Sequence, residues 1–276
     1  MKTVQVIRMS QALAVFLIAG LFAPSAFTQN TSLTTNTENS FGASVLSYRY
    51  EEPGVMTLKA PKIGLDYSGT YVFAPQWPNV VGRWFLRGEF GYASGQADYS
   101  SPISGNLDNT ENWYYEARVL VGRDLDMDSY VLAPYVGIGF RYLFNDLRGV
   151  TSGGSNGYRR ENTYQTAIVG ITHKMKLSPQ ARLITSLEYM HLLKGEQTAK
   201  LSDLATGCAD IALDQNSGYG LRLSSLWRES NWSIGPRITY WNIKASEIAR
   251  SCTPSRDWIE PKNTTTEIGF KAVYYY

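Results

Sequence analysis

From about residue 42 to its last residue, the chain repeats one pattern in ten separate segments: apolar and polar or charged side chains alternate. Strand side chains point to opposite faces at successive positions, so each segment has one apolar side and one that tolerates charge. In the closing stretch "TTEIGFKAVYYY", Thr266, Ile268, Phe270, Ala272, Tyr274 and Tyr276 share one face, and Glu267, Gly269, Lys271, Val273 and Tyr275 the other. "KIGLDYSGTYVF" sets Ile63, Leu65, Tyr67, Tyr71 and Phe73 against Lys62, Asp66, Ser68 and Thr70, and "RWFLRGEFGY", "YEARVLVG" and "APYVGIGFRY" behave alike. No segment in this region sustains a helical stripe. Strands are predicted near 42–51, 62–73, 82–93, 113–123, 130–142, 160–173, 181–192, 217–227, 232–243 and 264–276.

The connections alternate too. "APQWPNVV", "DLDMDS", "KMKLSPQ" and "RESN" are short, whereas 94–112, 143–159, 193–216 and 244–263 are long and rich in Gly, Ser, Asn, Thr and Asp; the first, 52–61, is modest. Such sorting is expected of an all-β, ten-stranded antiparallel transmembrane β-barrel with short periplasmic turns and long external loops. Each segment has about the 9–11 residues that a tilted strand needs in hydrocarbon. A soluble lipocalin-like barrel or sandwich is the competing architecture, and it has no reason to sort its loops. Aromatic residues reach 13% of the chain. Phe73, Trp77, Trp84, Tyr130, Trp227, Trp232 and Tyr276 fall toward the short-turn end, and Tyr48, Tyr92, Tyr115, Tyr142, Tyr189 and Tyr240 toward the other, as two interfacial girdles would. Backbone groups in lipid must be paired, so the first and last strands are expected to close on each other.

The opening thirty residues pair Lys2 and Arg8 with an apolar run from Ala12 to Phe22 and small residues around Ala23 to Ala26. That is the layout of an export signal. A single membrane anchor would need about 20 apolar residues, and Pro24 intervenes. The chain therefore divides into a cleaved signal over 1–28, a flexible segment over 29–40 and a barrel over 41–276. Loss of the signal removes two of the 26 basic residues and none of the 24 acidic ones. The near-neutral remainder has no basic face or zinc spacing for nucleic acid.

Assigning faces by the alternation places Arg49, Glu51, Lys62, Asp66, Arg87, Glu89, Glu116, Arg118, Arg141, Arg182, Glu188, Arg222, Arg237, Glu267 and Lys271 inside. Charges removed from water must be paired or hydrated. A packed ion network that occludes the lumen is one reading; a narrow, mildly cationic passage for small anions is the other. Cys208 and Cys252 lie in neighbouring long connections, and an exported chain meets an oxidising compartment, so a disulfide is expected between them. The two histidines, His173 and His191, have no metal-ligand spacing. Glu188 and His191 should face opposite ways, which leaves a hydrolase built on His191 only the acids of the next loop. "DLDMDS" lacks the glycine and glutamate of a calcium loop and reads as a solvated turn. No cofactor motif occurs.

Export signal, amphipathic strands, alternating loops and the final "FKAVYYY" together resemble Gram-negative outer-membrane β-barrels over the whole mature chain. "YWNI", "WIEPKNTTTEIGFK", "GYRREN" and "GYGLRL" are similar to a widespread uncharacterised group of such barrels. The resemblance implies that Phe270, Tyr274 and Tyr276 form the terminal signal read by the barrel-assembly machinery. It also implies a monomer surrounded by outer-membrane lipid and lipopolysaccharide. Omptin proteases, also ten-stranded, carry aspartate pairs and an aspartate–histidine pair at the external rim. This chain has no Asp-x-Asp atop its second strand and no Asp-x-His, and Asp124, Asp126 and Asp128 sit on the opposite side. Ten-stranded adhesin barrels bind host polyanions with their loops; here Lys194, Lys200, Arg250, Arg256 and Lys262 are diluted by acids. The expected role is a non-enzymatic barrel presenting external loops for structure or surface contact with an unidentified extracellular ligand. The alternatives are a porin-like small-solute channel and, behind it, a membrane-embedded hydrolase.

Overall fold

Pairing of the alternating segments closes one sheet on itself. The computed structural model describes residues 32–73 and 83–276. The signal over 1–28, the start of the 29–40 segment and Trp77 lie outside the described residues. The wall consists of β1 (Glu38–Glu52), β2 (Met56–Val72), β3 (Arg83–Ser101), β4 (Gly105–Asp126), β5 (Tyr130–Val150), β6 (Asn156–Lys176), β7 (Ala181–Ala199), β9 (Gly218–Glu229), β10 (Trp232–Ile243) and β13 (Asn263–Tyr275). Three short strands, β8 (Ile211–Asp214), β11 (Ala249–Ser251) and β12 (Arg256–Trp258), belong to the connections. Neighbours pair antiparallel in the order β6-β5-β4-β3-β2-β1-β13-β10-β9-β7, and β6 joins β7 to complete the ring. The first and last wall strands meet from Ser40↔Tyr275 to Glu51↔Thr264, so neither keeps a free edge.

The outer face is apolar across a defined band. Val45, Ile63, Val119, Val136, Ile138, Val169, Leu187, Leu221, Ile268 and Phe270 are all exposed there. Phe73, Trp84, Trp227, Trp232 and Tyr276 mark its lower edge, at the end where the terminal strands meet. Tyr92, Tyr115, Tyr142, Tyr189 and Tyr240 mark the upper edge. Trp113, Phe144 and Tyr219 join them, with ring contacts such as Trp113–Phe144 at 5.1 Å and Tyr189–Tyr219 at 6.1 Å. Strands rise about 3.3 Å per residue, so the stretch from Trp84 to Tyr92 spans roughly 26 Å along the strand. At the 35–45° tilt of such barrels this is about 20 Å of height between the ring-bearing positions, comparable to an apolar band ~25 Å tall. Tyr48, expected in the upper girdle, instead points inward and is 1% exposed.

Above the upper girdle the architecture departs from expectation. The stretches 94–112 and 143–159 are not long loops but continuations of β3–β4 and β5–β6, joined by tight turns. Outside the membrane both wall faces can be polar, so the apolar alternation that marks a strand in lipid disappears while the hydrogen-bonded ladder continues. At the β1–β2 turn, Pro53 precedes Gly54, whose φ of +76° is one that a Cβ would disfavour. β9, β10 and β13 stop lower, and the gap above them is filled by the two connections that are true loops. Residues 200–217 contribute a 3-10 turn (Leu201–Asp203) and β8, which pairs antiparallel with the upper end of β7 from Glu196↔Asp214 to Ala199↔Ile211. Residues 244–262 contribute the β11–β12 hairpin. Leu201, Leu213, Tyr158, Leu204, Ile211, Ala249 and Trp258 pack into one small core, forming a cap over the barrel.

Candidate functional site

The interior carries nearly all the chemistry that the structure assembles. Its middle tier lies within the lipid band. Arg118 reaches Glu188 at 2.6 Å and Glu116 at 3.4 Å and also pairs with Glu89. Arg222 grips both oxygens of Glu116 at 2.8 and 2.9 Å. Arg141 donates to Glu267 at 2.5 Å and lies 3.7 Å from Glu116. Tyrosines complete the carboxylate shells: Tyr114 donates to Glu267 at 2.7 Å and Tyr135 to Glu188 at 2.8 Å. Tyr135 reaches that position because Gly170 has no side chain; a Cβ there would sit 2.4 Å from the Tyr135 ring. Lys271 pairs with Asp66 at 2.5 Å. Lys62, 2% exposed, contacts Asn112 and lies 4.2 Å from the centre of the Tyr48 ring.

Of the lower tier, only Arg182 was anticipated. Asp124, read as part of a solvated turn, is 2% exposed and points inward. Its carboxylate accepts the Thr35 backbone N–H at 2.5 Å and the Lys174 ammonium at 3.2 Å. Arg182 donates to the Ser32 carbonyl, and Arg228 binds Glu38 through two hydrogen bonds of 2.8 and 2.9 Å. Residues 32–37, part of the segment expected to be flexible, are thereby held inside the lower mouth.

The upper tier joins barrel to cap. Arg160 pairs with Glu52 at 2.6 Å and with Glu260, and the Tyr50 hydroxyl lies 2.8 Å from both carboxylates. Glu260 belongs to the 244–262 connection, so the cap is tied to the rims of β1 and β6. Burial pushes the Glu260 carboxyl up to about 7; Arg160 pulls the other way, and Glu52 adds to the rise. Cys208 and Cys252 are disulfide-bonded, as their compartment implied.

Arg49, Asp66, Arg87, Glu89, Glu116, Arg118, Arg141, Glu188, Arg222, Arg237, Glu267 and Lys271 were expected in the lumen. Arg49 is the exception. It points outward with Glu51, which it meets at 2.9 Å, and its side chain is 53% exposed. At this height the outer wall stands in water, so the charges solvate while Tyr48 and Tyr50 fill the space beneath the cap. Phe270 and Tyr274 share the outer face of β13, with Tyr274 4.8 Å from the Trp232 ring, and Tyr276, just past the strand, stacks on Tyr274 at 6.4 Å. His191 also points outward, stacked on Tyr189 at 6.5 Å, with Glu188 on the opposite side of the wall. His173 lies against Tyr130 at 5.2 Å. Asp124, Lys174, Glu52, Arg160 and Glu260 escaped the sequence reading. Glu260 follows no period in its loop, and Asp124 was masked by neighbouring acids.

No family model and no curated protein matches the chain. Solved structures do. The outer membrane protease OmpT from Escherichia coli is similar with a TM-score of 0.56 at 10% identity, covering 90% of this chain and 100% of that one. The transport unit of the autotransporter AIDA-I from Escherichia coli follows with a TM-score of 0.49 at 12% identity, covering 90% and 94%. At such identities the likeness concerns the fold. The closed ring, the apolar band and its two aromatic edges, together with the likeness to the protease fold, make this chain a ten-stranded β-barrel of the outer-membrane type.

Proposed function

We propose that the protein is a non-enzymatic, non-conducting barrel that carries a rigid external head for contact at the cell surface. The observation behind this reading is the occupied lumen. Arg118, Glu89, Glu116, Glu188 and Arg222 bridge β3, β4, β7 and β9 across its middle, while the disulfide-tied cap covers the upper end. Paired charges that cross a narrow lumen leave an ion no hydrated route. The head suits display: β2–β7 project beyond the band, and the two loops are locked to each other and to Arg160. A hydrolase built on His191 draws no support from an imidazole on the outer wall.

The channel reading is the competitor, favoured by a cavity of about 210 Å³ in the lower lumen. Planar-bilayer recording of the refolded mature protein separates the two. A closed barrel is expected to give no steady unitary current, and a reproducible conductance would overturn the proposal.

A further inference from the structure

The floor of the lower cavity is not part of the wall. Leu33, Thr34, Thr35 and Asn36 line its terminus end; Ser186 and Ser224 line it higher up, four residues along their strands from the Arg182↔Arg228 pair. The stretch crosses the mouth from β2 and β3 to β6 and β7, which stand on opposite sides of the ring. Thr37 Oγ1 accepts the Val72 backbone N–H and Thr34 Oγ1 accepts from Arg83, each at 3.0 Å. Asp124 accepts the Thr35 hydroxyl at 2.8 Å as well as the Thr35 backbone N–H, and Lys174 donates to the same hydroxyl at 2.5 Å. On the far side Arg182 donates to the Ser32 carbonyl.

All of these anchors are polar. Residues 33–37 form no backbone-to-backbone hydrogen bond among the described residues, and none of them belongs to a packed apolar cluster. β1, which follows, is laddered on both sides. A segment with neither a ladder nor buried apolar contacts opens at a free energy well below that of the whole fold. Release also breaks no buried ion pair. Asp124 and Lys174 keep each other at 3.2 Å when Thr35 leaves, and water reaches both. Glu38 stays with Arg228, which pins the start of β1 and places the hinge at residue 37.

We propose that residues 32–37 are a releasable strap: the stretch leaves the lower mouth as a unit while the ring stays closed, and its departure admits small water-soluble molecules to the cavity. Thr35 is its catch, being the buried residue of the six and the one held by both Asp124 and Lys174. Entry is from the side of the termini, and the Arg118–Glu188 tier ends the path above. The strap therefore controls a chamber, not a through-channel. The inference goes beyond the closed-barrel reading and does not rest on it, because a conducting barrel would carry the same strap across its lower mouth.

The test places one thiol inside the cavity. In Ser224→Cys the introduced thiol is the only free one, since Cys208 and Cys252 are bonded to each other. The refolded mature chain is treated with a small anionic methanethiosulfonate, and labelling is followed by mass spectrometry. Thr35→Pro removes both the N–H and the hydroxyl that engage Asp124. It should raise the labelling rate about tenfold or more, the effect of losing charge-assisted hydrogen bonds. Removal of residues 29–36 should raise it at least as far. Heat-modifiable gel mobility checks that each variant keeps its barrel. Thr35→Ala, which loses the hydroxyl alone and should raise the rate by a smaller factor, replaces a Thr35→Pro chain that does not fold. The wild-type chain supplies a second readout, hydrogen exchange at the Thr35 amide, which should be complete while the β1 and β13 amides remain protected. Labelling of Ser224→Cys that is no faster in a folded chain without residues 29–36 overturns the strap's control of entry. A Thr35 amide protected for as long as the β1 ladder overturns its release.

Discussion

Glu116 shows how much a single residue can carry in this wall. Its carboxylate lies within 4 Å of Arg222, Arg118 and Arg141, all three nearly excluded from solvent. Removing one member of a buried set leaves the others charged and unpaired, at a cost of about 3–5 kcal/mol. Glu116→Leu is therefore expected to lose stability of that order, measured by urea unfolding in phospholipid vesicles. Arg49 provides the contrast. It also has a carboxylate neighbour, but both side chains stand in water, where such pairs contribute about 0–1 kcal/mol. Arg49→Ala should change the same unfolding curve by no more than that. A large loss there would return Arg49 to the lumen and overturn the orientation of upper β1.

At the scale of elements, the cap is the part most open to perturbation. The disulfide joins residues 44 positions apart in sequence, for which the chain-entropy relation gives about 4 kcal/mol as a ceiling. Replacing Cys208 and Cys252 by serine should speed proteolysis within 200–217 and 244–262, while the heat-modifiable mobility of the barrel is retained. Loss of the folded barrel form would show that the cap is needed for the wall itself. The Arg160 latch adds a pH dependence. One Tyr50 hydroxyl hydrogen and two hydrogens on Arg160 Nη2 face four carboxylate contacts, so a proton on Glu260 completes the set. A carboxyl raised to about 7 when folded binds its proton more tightly there than when unfolded. Its contribution is full below the unfolded value near 4.5 and disappears as pH rises through about 7. Cap protection measured by hydrogen exchange should therefore decrease between pH 5 and 8, beyond the intrinsic exchange trend. Glu260→Gln should flatten that change.

At the scale of the whole molecule, lipid accounts for the exterior. Ile138 is 64% exposed near the middle of the apolar band. Arginine on the lipid face at mid-depth costs about 2–4 kcal/mol in a barrel of this kind. Ile138→Arg should show that loss in vesicles, and a neutral result would mean that this face does not meet hydrocarbon. The ring, its closure and the inward positions from Asp66 to Lys271 were legible in the sequence because lipid outside and charge inside impose opposite demands on alternate residues. Where water replaces lipid that contrast fades. The chain above the upper girdle accordingly read as loops, and Arg49 was assigned to the wrong side. Which arginine meets which carboxylate, how residues 32–37 enter the lower mouth and how Glu260 reaches Arg160 depend on contacts between positions far apart in the chain. Local alternation selects a face and a depth for each side chain; only closure of the barrel selects its neighbour across the lumen.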